Sequence, residues 1–240
     1  MTPESPQQSR RTVTEVLVVF AIATVAASLL VHAPGGWTIV HNNLHALVAL
    51  VFLGLPQIVL RRRGNIEKYG FTWQPLALGL GIAAVAMLLL LPLFALGFIA
   101  LLRLGCVHFP SWVPGACWQV THPVWRLPPG FALSVPAQLI VIALPEELFF
   151  RGYVQGRLDE AWPPARKLWG APLGRGWWLQ AVLFGLGHYL VSFEPQMLTR
   201  FFPALAFGWM YARTRSILAG TLFHAACNLL MAVLGVSLLS

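Results

Sequence analysis

Apolar runs of about 20 residues, the length of a membrane-crossing helix, recur near residues 15–33, 41–60, 75–104, 134–152, 177–193, 196–212 and 216–238. This pattern predicts an all-α, polytopic transmembrane bundle of about seven spans, with six to eight as the range. The runs at 177–193 and 196–212 carry the weakest apolar signal. Leu76 to Leu102 is longer than one span requires and contains Pro92, which predicts a tilt or kink.

Composition agrees. Of 240 residues, 58% are hydrophobic and only 10% charged, and the mean hydropathy is +0.71, outside the balance of a soluble domain. The net charge of +8 does not indicate a nucleic-acid partner, because the basic residues are scattered between apolar runs and form no contiguous face. Membrane topology accounts for them. With the N-terminus in the cytoplasm, thirteen of the sixteen Lys and Arg fall in cytoplasmic segments, among them Arg10, Arg11, Arg61, Arg62, Arg63, Lys68, Arg151, Arg157, Arg213 and Arg215. Only Arg103, Arg126 and Arg200 fall outside. The positive-inside rule therefore favours a multi-pass inner-membrane protein with N-in, C-out orientation and the lipid bilayer as its partner. The first run resembles a signal anchor, but no convincing small-residue cleavage site follows, so it is read as a helix.

Ionisable residues at membrane depth come after residue 140. Residues 1–133 therefore read as a scaffold of three spans and an outer loop, and 134–240 as a four-span catalytic core. The loop at 105–133 is rich in Trp, Pro and Gly, including Trp112, Pro114, Gly115, Trp118 and Trp125, and fits an interfacial cap. Cys106 and Cys117 both lie in it, as a disulfide or as two free thiols; Cys227 reads as a thiol packed in the last span. Residues 153–176 read as a basic loop against an anionic leaflet.

Three polar patterns stand out of the apolar background: Glu146-Glu147-Leu-Phe-Phe-Arg151, Phe184-Gly-Leu-Gly-His188 and His224-Ala-Ala-Cys-Asn228. Each contains an i,i+4 pair, so each presents its polar groups on one helix face, and three helices can aim at one point. Singly, each has a plain structural reading: interhelical hydrogen bonding for the histidines and Asn228, an ion pair for Glu147 with Arg151. Adjacent carboxylates at hydrocarbon depth are costly unless used, and intramembrane ionisable groups mark function. Pro145 reads either as freeing backbone groups to line a wet cavity or as a tolerated kink. Gly185 and Gly187 permit close helix approach, and Phe184 packs around the site.

In order and spacing the three motifs resemble the signature of the CAAX-protease and bacteriocin-processing intramembrane proteases: Glu-Glu-x-x-x-Arg, Phe-x-x-x-His, then His-x-x-x-Asn. The resemblance covers about residues 134–230. It implies an intramembrane endopeptidase acting on a membrane-associated protein or peptide. Glu146 would be the catalytic glutamate, working with His188 on a water, while His224 and Asn228 stabilise the oxyanion and Glu147 and Arg151 support them. Burial favours the protonated acid, which suits a base that must later return its proton. Cleavage is expected near the cytoplasmic half of the bilayer.

Cofactors are expected to be none, with zinc left open. Glu146, His188 and His224 would be its three ligands with water in the fourth position, but the chain has no His-Glu-x-x-His, which favours the metal-free mechanism. The Ala-, Leu-, Gly- and Arg-rich composition looks bacterial, which counts against prenylated CAAX substrates. Substrates with C-terminal sorting tails, as in the myxosortase-like group, and peptide leaders both stay open. The alternative function is a non-enzymatic bacteriocin-immunity or membrane scaffold protein. A transporter ranks third, because the halves lack the matched broken helices of inverted repeats.

Overall fold

The computed structural model describes residues 5–60, 66–72, 74–108 and 116–239. Arg61, Arg62, Arg63, Trp112, Pro114 and Gly115, invoked above, lie outside these residues. The described chain is an all-α helical bundle of a polytopic membrane protein: α1 (Pro6–Val31), α2 (Thr38–Asn42), α3 (Leu44–Leu60), α4 (Leu76–His108), α5 (Ala116–Thr121), α6 (Phe131–Ala161), α7 (Arg175–Ser192), α8 (Phe201–Thr214) and α9 (Leu218–Leu238). By length and hydropathy α1, α4, α6 and α9 can each cross a membrane, and α3 is a shorter apolar helix. The two weakest runs are the helices α7 and α8, of 18 and 14 residues.

α1 illustrates the lipid-facing design. Ser5 caps it by accepting the amide hydrogen of Gln8, Pro6 supplies a preset first turn, and a proline costs no hydrogen bond there. Thr12, Val16, Val19, Phe20, Ala23 and Ala27 form its buried stripe. Leu17, Val18, Ile22, Val25 and Leu29 on the other side are exposed. A helix apolar on its outer face as well is a membrane helix rather than a surface helix of a soluble domain.

α6 is the central element. It packs against α3, α7, α8 and α9, and α1 meets its far end. Phe149 and Phe150 fill the core against Phe20 of α1 and Phe52 of α3. The helix also runs further than the apolar pattern indicated, ending at Ala161 rather than near 152. The reason is pairing: Arg157, 2% exposed, reaches Glu160, Glu15 and Thr12, and Glu160 also takes Lys68 and the hydroxyl of Tyr69. Burial, reinforced by the Glu160 carboxylate, holds the Tyr69 phenol above its ordinary pKa. Arg151 and Arg157, counted above with the cytoplasmic basic residues, are thus core residues, not a solvated charge face. The rest of the expected loop includes a hairpin, β1 (Arg166–Leu168) with β2 (Ala171–Leu173), turning at Trp169 and Gly170, both at positive φ, the conformation such two-residue turns need.

Cys106 and Cys117 form a disulfide with Cα atoms 5.5 Å apart, so α4 is tied covalently to α5. The Arg126 amide donates to Ser237 Oγ at the end of α9. Trp118 and Trp125 are exposed, consistent with an interfacial cap.

Candidate active site

α6 changes register twice, and the carboxylates sit between the changes. Ala137–Ala143 and Leu148–Gln155 are π-helical, and Leu144–Glu147 between them is α-helical. Pro145 has no N–H to close an ordinary turn, and π segments recur at functional sites. The widened turns re-aim the side chains. At about 100° per residue an uninterrupted α-helix would leave Gln138 about 80° away from Glu146. With the steps through Ala143 in π register, turning roughly 80° each, the two fall within about 20° of one another.

Glu147 is completely buried, and its Oε1 accepts two hydrogen bonds, each 2.9 Å: from Arg151 and from Nδ1–H of His224. His188 donates its own Nδ1–H to the carbonyl of Phe184, 2.8 Å away and one turn earlier on α7. A carboxylate and a carbonyl only accept, so both Nδ1 atoms carry hydrogen and each ring turns its Nε2 outward. Both Nε2 atoms face the same oxygen: Glu146 Oε2 lies 3.6 Å from that of His188 and 3.8 Å from that of His224. Three polar atoms thus converge around one point. Glu146 Oε2 is buried and has no protein hydrogen-bond partner, although the side chains of Glu146 and His188 are 14% and 20% exposed. A proton donor belongs there.

Arg151 is fully buried too. Its guanidinium lies 4.4 Å from the Phe184 ring centroid and 4.8 Å from that of Phe207, and it donates to the Ala204 carbonyl. Phe207 also stacks on His224, at 4.8 Å and 16°, while Phe184 packs against both histidines. The two phenylalanines therefore fix a cation and two imidazoles together, by cation–π attraction and ring packing. Gly220, one turn before His224, makes room for Glu147: a Cβ there would lie 2.6 Å from Glu147 Oε2. Gly185 likewise admits the Leu198 carbonyl, and Gly187 admits Phe20.

Glu146, Glu147, Arg151, His188 and His224 are brought together as the motif spacing implied. Asn228 sits one turn beyond His224, and its amide donates to Gln138 Oε1 at 3.0 Å. Gln138, Phe207 and Gly220 were not singled out from sequence. Only Gln138 left a signal, as the lone amide in the apolar run Ala137–Leu144; Phe207 and Gly220 look like any span residues.

The metal reading can be tested on geometry. Tetrahedral zinc with bonds of about 2.0–2.1 Å holds its donors about 3.3–3.4 Å apart. The separations of 3.6 and 3.8 Å here are wider, and among the described residues no group of three His, Cys, Asp or Glu side chains is arranged to hold a metal ion. Glu146, His188 and His224 are the side chains that would hold a zinc ion, each by the atom that faces the others.

Fold and site together define a multi-pass membrane protein that carries a carboxylate–imidazole centre inside its own helices. Residues 128–230, which hold all seven motif residues and Gln138, match the family model described as Rce1-like: Type II CAAX prenyl endopeptidase Rce1-like. The match supports placing this segment with the CAAX-protease and bacteriocin-processing family and supports intramembrane protease activity in general. No curated protein and no solved structure matches the chain.

Proposed function

We propose that this chain hydrolyses a peptide bond in a membrane-associated protein or peptide, with Glu146 as general base and no metal in the reaction. One observation carries the reading: the approach of Glu146 Oε2 to two imidazole Nε2 atoms whose Nδ1 hydrogens are already committed. A water fits that gap with arms of about 2.8 Å, donating one hydrogen to Glu146 and the other to His188. As it attacks the carbonyl, Glu146 takes its proton and then returns it to the leaving amine.

The oxyanion needs donors already in place. Asn228 offers an amide whose geometry Gln138 holds. His224 serves as the second donor in its doubly protonated form, in which Nδ1–H stays on the Glu147 carboxylate and Nε2–H meets the oxyanion. Arg151 donates to the same Glu147 oxygen and stands as its counter-ion. Division of labour follows: Glu147 anchors Arg151 and His224, leaving Glu146 to cycle the proton. Cytoplasmic N-terminus and inner-membrane location belong to the same proposal, supported by the distribution of Lys and Arg.

The test is comparative mapping of peptide termini in membranes of the native cell, wild type against Glu146→Ala. Termini present only in wild type are the expected result, and they name the substrate. A folded, abundant variant with an unchanged set of termini overturns the proteolytic reading in favour of an immunity or scaffold role.

A further inference from the structure

Below the glutamate pair a column of buried polar groups continues toward the end of α6. Glu147, Arg151, Gln155 and Asp159 recur every four residues, and none is more than 6% exposed. Opposite them stand Gln180 of α7, which donates to the Trp177 and Ala204 carbonyls, and on α8 the Gly208 carbonyl, which accepts from Gln155, and the Tyr211 hydroxyl. The column ends at Arg215, 3.6 Å from Asp159 and 44% exposed. Along this line buried atoms have no protein hydrogen-bond partner: Glu147 Oε2, Arg151 Nε, Gln155 Oε1, Gln180 Oε1, Tyr211 Oη and both oxygens of Asp159. Gly208 lets these amides approach the α8 backbone, since a Cβ there would collide with Gln180 Nε2 and Gln155 Oε1.

A structural ladder would satisfy its own members, because polar atoms in a membrane interior are costly to leave unpaired. This one instead offers successive unpaired atoms. Side chains four residues apart on a helix lie about 5–6 Å apart at Cβ, near enough for one water to bridge polar atoms that do not already touch, by two hydrogen bonds of about 2.8 Å. We propose that the column is a water channel that feeds the active site from the Arg215 end. The proposal rests on the hydrolytic reading for its purpose: cleavage of one amide consumes one water, whose oxygen goes to the new carboxylate and whose hydrogens go, with the rearranged charge, to the new amine. A substrate lying across Glu146 would close the mouth of the site, so water would have to arrive from behind.

The test does not use turnover, so it can fail while proteolysis stands, or hold while proteolysis falls. Gln155→Cys, Gln180→Cys and, as a dry control, Leu158→Cys are each placed in a Cys227→Ser background with the Cys106–Cys117 disulfide retained. Membrane vesicles are exposed to silver ion from the Arg215 side, then denatured and labelled with a maleimide. The expected result is loss of the label at 155 and 180 and its retention at 158, where the side chain is fully buried. Equal retention at all three overturns the channel. Should the variants fail to fold, radiolytic hydroxyl labelling of the wild-type protein decides. Tyr211, 1% exposed, is expected to be oxidised while Phe149, 0% exposed, is not. A Tyr211 as inert as Phe149 also overturns it.

Discussion

The pair Glu147–Arg151 offers the sharpest quantitative test, because both side chains are fully buried and 2.9 Å apart. Replacing Arg151 with Met leaves a buried carboxylate without its cation, and breaking such a pair costs about 3–5 kcal/mol. Loss of the guanidinium from between Phe184 and Phe207 adds to this, by roughly 2 kcal/mol for a desolvated cation–π contact. Glu147→Gln strands Arg151 in the same way, although its amide oxygen can still accept from His224. In the double variant Glu147→Gln/Arg151→Met no charge is stranded, and buried pairs replaced as a unit by neutral groups are often close to neutral. The two single penalties should therefore not add. An interaction term of about 3 kcal/mol, the upper end for residues in contact, is expected from SDS-driven equilibrium unfolding in mixed micelles. If the double variant equals the sum of the singles to within about 0.5 kcal/mol, the pair is not the electrostatic unit described.

Gly220→Ala places a methyl 2.6 Å from Glu147 Oε2; it should lower stability by about 1–3 kcal/mol, as overpacking does, and abolish terminus formation, whereas Gly235→Ala on the same helix, with nothing within 4 Å, should do neither. Glu146→Ala and His188→Ala should be near null, while Asn228→Ala should retain activity reduced by about 10²–10³, the cost of one oxyanion donor; equal rates in all three, read with the substrate that terminus mapping supplies, would sink the assignment. Denatured but unreduced protein should take up maleimide at one thiol, Cys227, and at three after reduction, with an intact mass as the readout; loss of the bond should cost about 3 kcal/mol, as expected for a short closed loop. Dialysis against a chelator should leave proteolysis unchanged and elemental analysis should find no stoichiometric zinc; activity that disappears and returns with added zinc refutes the metal-free mechanism.

What was legible in the sequence is what periodicity carries. Glu147 with Arg151 and His224 with Asn228 lie four residues apart, so their shared faces follow from helix geometry alone, and the three motifs stood out because the surrounding residues are apolar. Groups that depend on partners far along the chain were not legible. Arg157, Asp159 and Glu160 read as loop charges, yet they pair with Glu15, Lys68 and Arg215, and those pairs keep α6 helical to Ala161. The π register is equally silent: Pro145 signals a disturbed helix but not which way the disturbance turns Gln138. Phe207 was invisible for a third reason, since one more phenylalanine in an apolar span carries no mark of the cation and imidazole it holds. Spacing left the cysteines open between a disulfide and free thiols, and the packing of α4 against α5 brings them together.

The residues outside the matched segment are part of the site's support rather than an independent module. Segment 128–230 contains both carboxylates and both histidines, but α6 is buried on two sides by helices that precede it. Phe20 and Phe52 close the core over Phe149 and Phe150, and Gly187 is shaped to receive Phe20 one residue before His188. Thr12 and Glu15 satisfy Arg157 at the far end, and the Tyr69 backbone carbonyl packs so closely on Gly152 that no side chain would fit between them. Without α1, α3 and the 66–69 turn, α6 would present an arginine and two phenylalanine rings to lipid. The arginine would be costly there, and the clamp that holds His188 and Arg151 in place would lose one wall. The chemistry lies in one half of the chain, and the rigidity that chemistry requires comes from both.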